Sequence, residues 1–298
     1  MSTYIVTGAG GQLGRRVLAH LLDTLKVPAD RLVATSRNPA ALSDWASRGV
    51  AVRGADFDAP DSLAAAFAGG ERLLLISTDA LDRPGRRLEQ HLAAIRAAET
   101  AGLQHVVYTS MPDPERSLVT FAPDHLGSEQ ALADSALPGW TVLRNQWYFE
   151  NLLHSLPHAL AQGRWYTANG HGGLAHIARD DLARAAAMAL TGDFAGKRTL
   201  TLTGDRAWTA QEIAAAVARA TGQPLTPVPV PVEALIEGMV GAGMPEPIAR
   251  IFASFDANIA SGRMATVSDD YRTLTGSAPQ GFEDWLGRNA AAFATATG

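Results

Sequence analysis

Tyr4-Ile5-Val6-Thr7-Gly8-Ala9-Gly10-Gly11-Gln12-Leu13-Gly14 opens the chain, and the fold is decided by how this stretch is read. A short apolar run passes directly into a glycine cluster, and an amphipathic pattern follows from Gln12. Strand, tight glycine turn and helix in that order form a phosphate-binding entry. The first glycine permits a sharp turn, a middle one lets backbone N–H groups approach a pyrophosphate, and the last lets the helix pack against the strand. The start of the helix then offers unpaired N–H donors and a partial positive charge. Thr7, Gly8, Gly10, Gly11, Gln12, Leu13 and Gly14 are therefore candidate dinucleotide-binding residues.

Outward from this loop the same unit repeats. Apolar runs at Tyr4–Thr7, Leu32–Ser36, Ala51–Ala55, Arg72–Ser77, His105–Ser110 and Thr141–Arg144 read as strands. Helical patterns fall between them, near Gln12–Leu25, Pro39–Arg48, Pro60–Phe67, Pro84–Ala101 and Pro123–Ser135. The near-continuous apolar character of Leu73-Leu74-Leu75-Ile76 suits strands covered on both faces. The expected class is α/β, a doubly wound parallel sheet. Beyond residue 150 the pattern is less regular. A helix is expected over Trp147–Leu160, kinked or ended by Pro157. Arg179-Asp180-Asp181 offers an N-cap for a helix through Leu190, and Arg198–Thr203 alternates as a strand. Thr209–Ala220 reads as a helix stopped by Gly222, Pro224–Pro231 as an extended edge, and three helices follow near Val232–Val240, Pro247–Ile259 and Phe282–Ala292. Residues 1–150 form a nucleotide-binding domain, and residues 151–298 carry late sheet strands interleaved with a smaller helical lobe.

The second strand selects the nucleotide. A carboxylate at its end would bind a ribose 2′-OH, but Leu32–Ser36 runs into Arg37. An arginine there suits a 2′-phosphate, with Ser36 adding a hydroxyl, and the expected cofactor is NADPH. Asp56 and Phe57, after the third strand, are placed to hold the adenine, although Asp56 could equally cap the helix that follows.

Composition removes other classes. The 298 residues carry a formal net charge of −5 and are 47% hydrophobic and 18% charged, a globular composition without the basic face of a nucleic-acid binder. No apolar run approaches the ~20 residues that span a bilayer. Met1–Thr7 lacks the features of a signal peptide, so a cytoplasmic location is expected. The absence of cysteine excludes disulfides, thiolate metal sites and cysteine nucleophiles. The two lysines, Lys26 and Lys197, lie in no P-loop, and no G-x-S-x-G occurs. His154-x-x-x-His158 has ligand-like spacing but is interrupted by Pro157 and lacks a third ligand, so it is read as structural and no metal is expected.

Gly8-x-x-Gly11-x-x-Gly14 with Thr7 resembles the loop of the extended and atypical short-chain dehydrogenase/reductases. Reductases of that superfamily commonly use Tyr-x-x-x-Lys, in which the lysine lowers the pKa of the proton-donating tyrosine. Four positions after Tyr4, Tyr108, Tyr148, Tyr166 and Tyr271 stand Gly8, Pro112, Leu152, Gly170 and Thr275, so the dyad is missing. Ser36-Arg37-Asn38-Pro39, Tyr108-Thr109-Ser110, His125-x-x-x-Glu129 and Leu143-Arg144-Asn145-Gln146-Trp147-Tyr148-Phe149-Glu150-Asn151 resemble the NmrA-like atypical reductases. Within that group the chain is most similar to the NADPH-dependent type 2 quinone oxidoreductases, and the likeness extends over nearly its whole length. Gly10 departs from the threonine usual in that family.

The resemblance implies a Rossmann core with a small C-terminal lobe, NADPH as donor and a quinone or similar conjugated small molecule as acceptor. A quinone is a strong electrophile, so its reduction rests on orientation and on stabilising an oxyanion more than on a strong acid. Candidate catalytic donors are Tyr148 and Asn145 at the mouth after the sixth strand and His125 on the preceding helix. Asn145 also lies within reach of the cofactor. Ser77, Thr78, Thr109 and Ser110 end strands at the carboxyl edge, where such sheets bind ligands. Trp147 and Phe149 are read as packing between lobe and sheet. Two alternatives stay open: a non-enzymatic NADP(H)-sensing regulator of the NmrA type, and a reductase of other conjugated acceptors such as triphenylmethane dyes. A homodimer is allowed.

Overall fold

Alternation of side chains along each strand builds the two cores of the sheet in the computed structural model, which describes residues 2–294. The last four residues of the expected C-terminal lobe lie outside the described residues. In chain order the first half comprises β1 (Tyr4–Val6), α1 (Gln12–Ala19), β2 (Leu32–Ser36), α2 (Ser43–Ser47), β3 (Ala51–Gly54), α3 (Asp61–Phe67), β4 (Arg72–Leu75), α4 (Arg86–Thr100), β5 (His105–Ser110), α5 (Ala122–Asp134) and β6 (Gly139–Asn145). The second half contains α6 (Leu152–Gln162), β7 (Arg164–Thr167), β8 (Gly173–Leu174), α7 (Arg179–Thr191), β9 (Lys197–Leu202), β10 (Trp208–Thr209), α8 (Ala210–Thr221), β11 (Thr226–Pro229), α9 (Val232–Gly241), α10 (Glu246–Ala260), α11 (Asp270–Thr275) and α12 (Phe282–Ala294).

Seven parallel strands form one sheet in the order β3-β2-β1-β4-β5-β6-β9, so the chain reverses direction across the sheet between β1 and β4. That reversal opens a crevice at the carboxyl ends of the strands. Val6, Leu74, Val107 and Leu143 point to one face, under Val17 and Leu18 of α1 and Leu182 and Ala186 of α7. Ile5, Leu73, Leu75, Val106 and Val142 point to the other, under Phe67 of α3, Ile95 of α4 and Leu132 of α5. This is the period of two that a doubly covered strand shows in three dimensions.

The late strand expected near Arg198–Thr203 is β9, which joins the sheet edge beside β6. Residues beyond 150 are thus interleaved with the sheet, and the rest form a lobe around Phe149, Leu156, Trp208, Val217, Phe282 and Trp285. Two local expectations are corrected. Pro157 does not end its helix: α6 runs on to Gln162, with Leu152, Leu156, Ala159 and Leu160 buried in the lobe. Neither Asp180 nor Asp181 caps α7; its first N–H, on Arg179, instead donates to the Glu150 carboxylate at 3.0 and 3.3 Å. Asp181 accepts the Tyr271 hydroxyl at 2.8 Å and the Gln280 N–H at 2.7 Å. The helix over Thr209–Ala220 forms as read, with a reciprocal Thr209–Glu212 cap and Gly222 left-handed at its end.

Candidate active site

The glycine loop leaves β1 at the reversal point, and Thr7 fixes its start. The Thr7 hydroxyl donates to the Leu74 carbonyl (3.1 Å) and accepts the Ile76 N–H (3.0 Å), clasping β1 to β4. Gly8 takes φ +59°, where L side chains are strained, and its carbonyl accepts the Gly11 N–H. A Cβ on Gly14 would collide with the Gly8 carbonyl oxygen and stand 2.8 Å from the Ala9 Cα, so only glycine lets α1 approach the loop. Gly10 is different: its nearest neighbours are the Ser36 Oγ at 3.6 Å and Leu42, which leaves room for a side chain there.

No side chain caps α1 and no acidic residue occupies its first turn, so its N-terminal N–H groups at Gln12, Leu13 and Gly14 face a site suited to an anion. Arg15 was not singled out from the sequence. Its guanidinium donates to the Gly10 carbonyl (3.1 Å) and the Ala41 carbonyl (2.9 Å), tying the loop to the turn after β2. On that turn Ser36 accepts the Asn38 N–H, while Arg37 is exposed and makes none of the ion pairs found among the described residues. A glycine cradle that a Cβ would fill, an uncapped helix end and a free cation beside it fit a phosphorylated dinucleotide.

Hydrogen bonding sorts the remaining candidates. Asp56 accepts the Asp58 N–H at 3.0 Å within the turn and does not cap α3, whose start has no side-chain cap, and Phe57 packs partly buried against the α3 side. Thr109 accepts the Ser77 N–H (2.8 Å) and donates to the Ser77 Oγ (3.3 Å), stitching β5 to the end of β4. Ser110, expected to line the cofactor, instead turns toward α5 and donates to Glu129 at 2.5 Å. Glu129 is held there by Arg144, at 2.6 Å. That pair also separates Glu129 from His125, its neighbour one turn away.

Behind Thr78 lies a buried polar relay that the sequence did not reveal. The Thr78 N–H donates to Nε2 of His91 (3.1 Å), which places the His91 proton on Nδ1, facing the Ser128 hydroxyl at 2.9 Å and the Tyr108 hydroxyl at 3.2 Å. The Tyr108 hydroxyl is also hydrogen-bonded to Nδ1 of His125 at 2.8 Å. Burial pushes His91 down to about 3, holds His125 well below the usual imidazole range, and raises Tyr108. His125, expected as a donor at the mouth, is therefore a neutral, buried member of this relay. The relay fixes the Thr78 backbone and leaves the Thr78 Oγ1 buried without a partner.

Asn145 ends β6, two strands away from Thr78 across the sheet, and its Oδ1 is likewise buried and unpaired. Two orphaned polar atoms on the same carboxyl edge of the sheet are costly unless a ligand completes them. Tyr148 follows in a run held by backbone bonds from Ile177 to Trp147 and from Phe149 to Ile177. Its ring lies under the Arg179 guanidinium, and desolvation raises its hydroxyl while Arg179 and Arg87 oppose that shift.

A large cavity lies away from the glycine loop, within the lobe. It encloses about 740 Å³ between α6, β7, α9 and α10, lined by Trp147, His154, Trp165, Leu235, Met239 and Phe252 among others. Trp147 joins it to the mouth, two residues after Asn145. His154 and His158 lie on its wall, and among the described residues no group of three or more His, Cys, Asp or Glu could hold a metal.

Comparison with known proteins agrees with this geometry. Residues 1–286 match the model of the NmrA-like family. Quinone oxidoreductase 2 of Escherichia coli strain K12 is 36% identical over 270 residues, which is 91% of each chain. The E. coli NADPH-dependent quinone oxidoreductase QOR2 complexed with NADPH superposes with a TM-score of 0.91 at 34% identity, over 96% of this chain and 99% of that one. The Citrobacter sp. triphenylmethane reductase complexed with NADP(H) gives 0.90 at 35% identity, over 97% and 100%.

Proposed function

The chain belongs to the NmrA-like family, and from that premise we propose that it is an NADPH-dependent oxidoreductase acting on a quinone. The observation that carries this reading is the pairing of a glycine cradle only Gly14 can complete with a mouth whose Thr78 and Asn145 oxygens lack partners. The missing Tyr-x-x-x-Lys agrees with an acceptor that needs no strong acid.

NADPH, when bound, supplies the hydride. The chain supplies binding and orientation. The loop and the start of α1 offer N–H groups to the pyrophosphate, and Arg37 with Ser36 attracts the 2′-phosphate. Asp56 and Phe57 border the adenine side. Thr78 and Asn145 present their unpaired oxygens to the carboxamide and ring that must be aligned with the acceptor. Ser77 and Thr109 hold the end of β4, and His125, Tyr108 and His91 hold Thr78. Hydride addition leaves the electron pair on a quinone oxygen, and the resulting hydroquinone monoanion takes its proton from the Tyr148 hydroxyl or from water. The lobe cavity next to Trp147 receives apolar substituents of the acceptor.

The proposal treats residues 1–150 as the nucleotide-binding part and the later residues as late strands and acceptor lobe. It includes a cytoplasmic protein, free to form a homodimer, with no nucleic-acid partner. The net charge of −5 supports the last point, and no helix among the described residues is long and apolar enough to cross a membrane. Stopped-flow loss of NADPH absorbance with a panel of quinones and one triphenylmethane dye tests the activity. Tight NADPH binding without oxidation by any acceptor would leave a sensor and sink the enzyme reading.

A further inference from the structure

Arg87, in the first turn of α4, is 7% exposed, yet among the described residues it makes no hydrogen bond and no ion pair, and its Nε is buried without a partner. Arg72, nearly as buried, gives its Nη2 to the carbonyls of Ala189 and Phe194. The Nε of Arg87 is cut off from water and unpaired, and its Nη groups have no protein partner among the described residues and little solvent, an arrangement that an anion would relieve. The direction of Arg87 indicates which. Its Cζ lies 4.7 Å from the centre of the Phe121 ring, just ahead of α5. Phe121 meets Phe255, which packs on Trp147 with ring centres 3.8 Å apart. The charge of Arg87 acts on Tyr148, Tyr108, His91, His125 and Asp124, and Asp79 acts on it in turn; neither carboxylate is at ion-pair distance. Arg87 thus stands at one end of the Phe121–Phe255–Trp147 row of rings, and Trp147 lies two residues after Asn145 and one before Tyr148.

We propose that Arg87 is the anion-binding residue of the acceptor site, receiving the negatively charged oxygen of a phenolate-type ligand. This rests on the quinone reading and deepens it. Hydride addition to a neutral quinone creates such an oxygen, so the charge that Arg87 lacks at rest appears as the acceptor is reduced. A cationic dye loses its charge on hydride addition and gives Arg87 nothing to bind, so the site selects oxyanion-forming acceptors.

The probe is 4-nitrophenol, whose phenolate is read by its absorbance, added to the protein with NADP+ present and no turnover. The expected result is that the bound probe ionises at a pH at least about one unit below its value in water, a tenfold shift. Arg87→Met should abolish that shift, and Arg87→Lys should restore part of it. Unchanged ionisation in a folded Arg87→Met protein overturns the proposal and leaves Arg87 as packing on Phe121. If the methionine variant does not fold, the unmodified protein decides alone: a probe that binds without easier ionisation, or does not bind, overturns it. The two readings fail separately. NADPH oxidation by quinones with no phenolate shift removes only the role of Arg87, and a phenolate shift with no oxidation removes only the reductase.

Discussion

The Arg179 guanidinium lies over the Tyr148 ring, with its Cζ 5.0 Å from the ring centre. Arg179 is fixed at the start of α7, where its N–H is held by Glu150, two residues after Tyr148. A cation thus reaches the tyrosine from a distant segment, where the related dyad takes a lysine four residues on. Stacked on the ring face, it offers the hydroxyl less than a lysine beside it would, and burial still raises the tyrosine.

Tyr148 is therefore an assisting donor. Tyr148→Phe should lower kcat/KM for a quinone by about tenfold, below the 10²–10⁴ typical of an essential general acid. Steady-state NADPH oxidation measures this, and a loss of a thousandfold or more would make Tyr148 the obligatory proton source.

On the proposed function Arg37 governs the choice of nucleotide. Arg37→Asp removes a charge-assisted contact and adds repulsion, so NADPH should bind roughly 100-fold more weakly while NADH changes by less than about threefold. Fluorescence titration with both nucleotides checks it; equal losses would place the 2′-phosphate elsewhere.

The glycines of the loop are not equivalent. Gly14→Ala forces α1 away from the Gly8 carbonyl and should cost about 1–3 kcal/mol of stability, with loss of NADPH binding. Gly10→Ala, with open space at its Cβ, should leave the thermal midpoint and NADPH affinity nearly unchanged. Thermal melts with and without NADPH separate the two.

Buried histidines make the fold acid-sensitive. His91, His105 and His176 are each pushed down to about 3 by burial, against 6.5 for an exposed imidazole. Between those values the unfolded chain binds protons that the folded chain refuses, so stability is full above about pH 6.5 and falls as pH drops toward 3. Each histidine contributes up to about 1 kcal/mol per pH unit in that window. Urea unfolding at pH 7, 6, 5 and 4 should show the decline, and His91→Gln should make it shallower; a pH-independent midpoint would contradict it.

The sequence was sufficient for the sheet because the signals there are local. Near-continuous apolar runs such as Leu73–Ile76 and Val106–Tyr108, prolines at helix starts and the Gly8–Gly14 spacing each act within a few residues. It did not reveal that the Ser110 and Thr109 hydroxyls meet Glu129 and Ser77, or that Nδ1 of His125 meets the Tyr108 hydroxyl. It also gave no sign that Glu150 would cap α7 in place of Asp180.

By itself, then, the amino-acid sequence determined the parallel α/β sheet, the cradle for a phosphorylated dinucleotide and the absence of the usual dyad, because turn chemistry and periodicity depend on near neighbours. Only the tertiary structure decided which polar groups at the mouth stay free. Among the described residues the Thr78 Oγ1, the Asn145 Oδ1 and the Arg87 Nε remain without hydrogen-bond partners while the Thr7 and Ser110 hydroxyls are bonded within the fold, because each pairing joins residues far apart in the chain and depends on how strands and helices close around them.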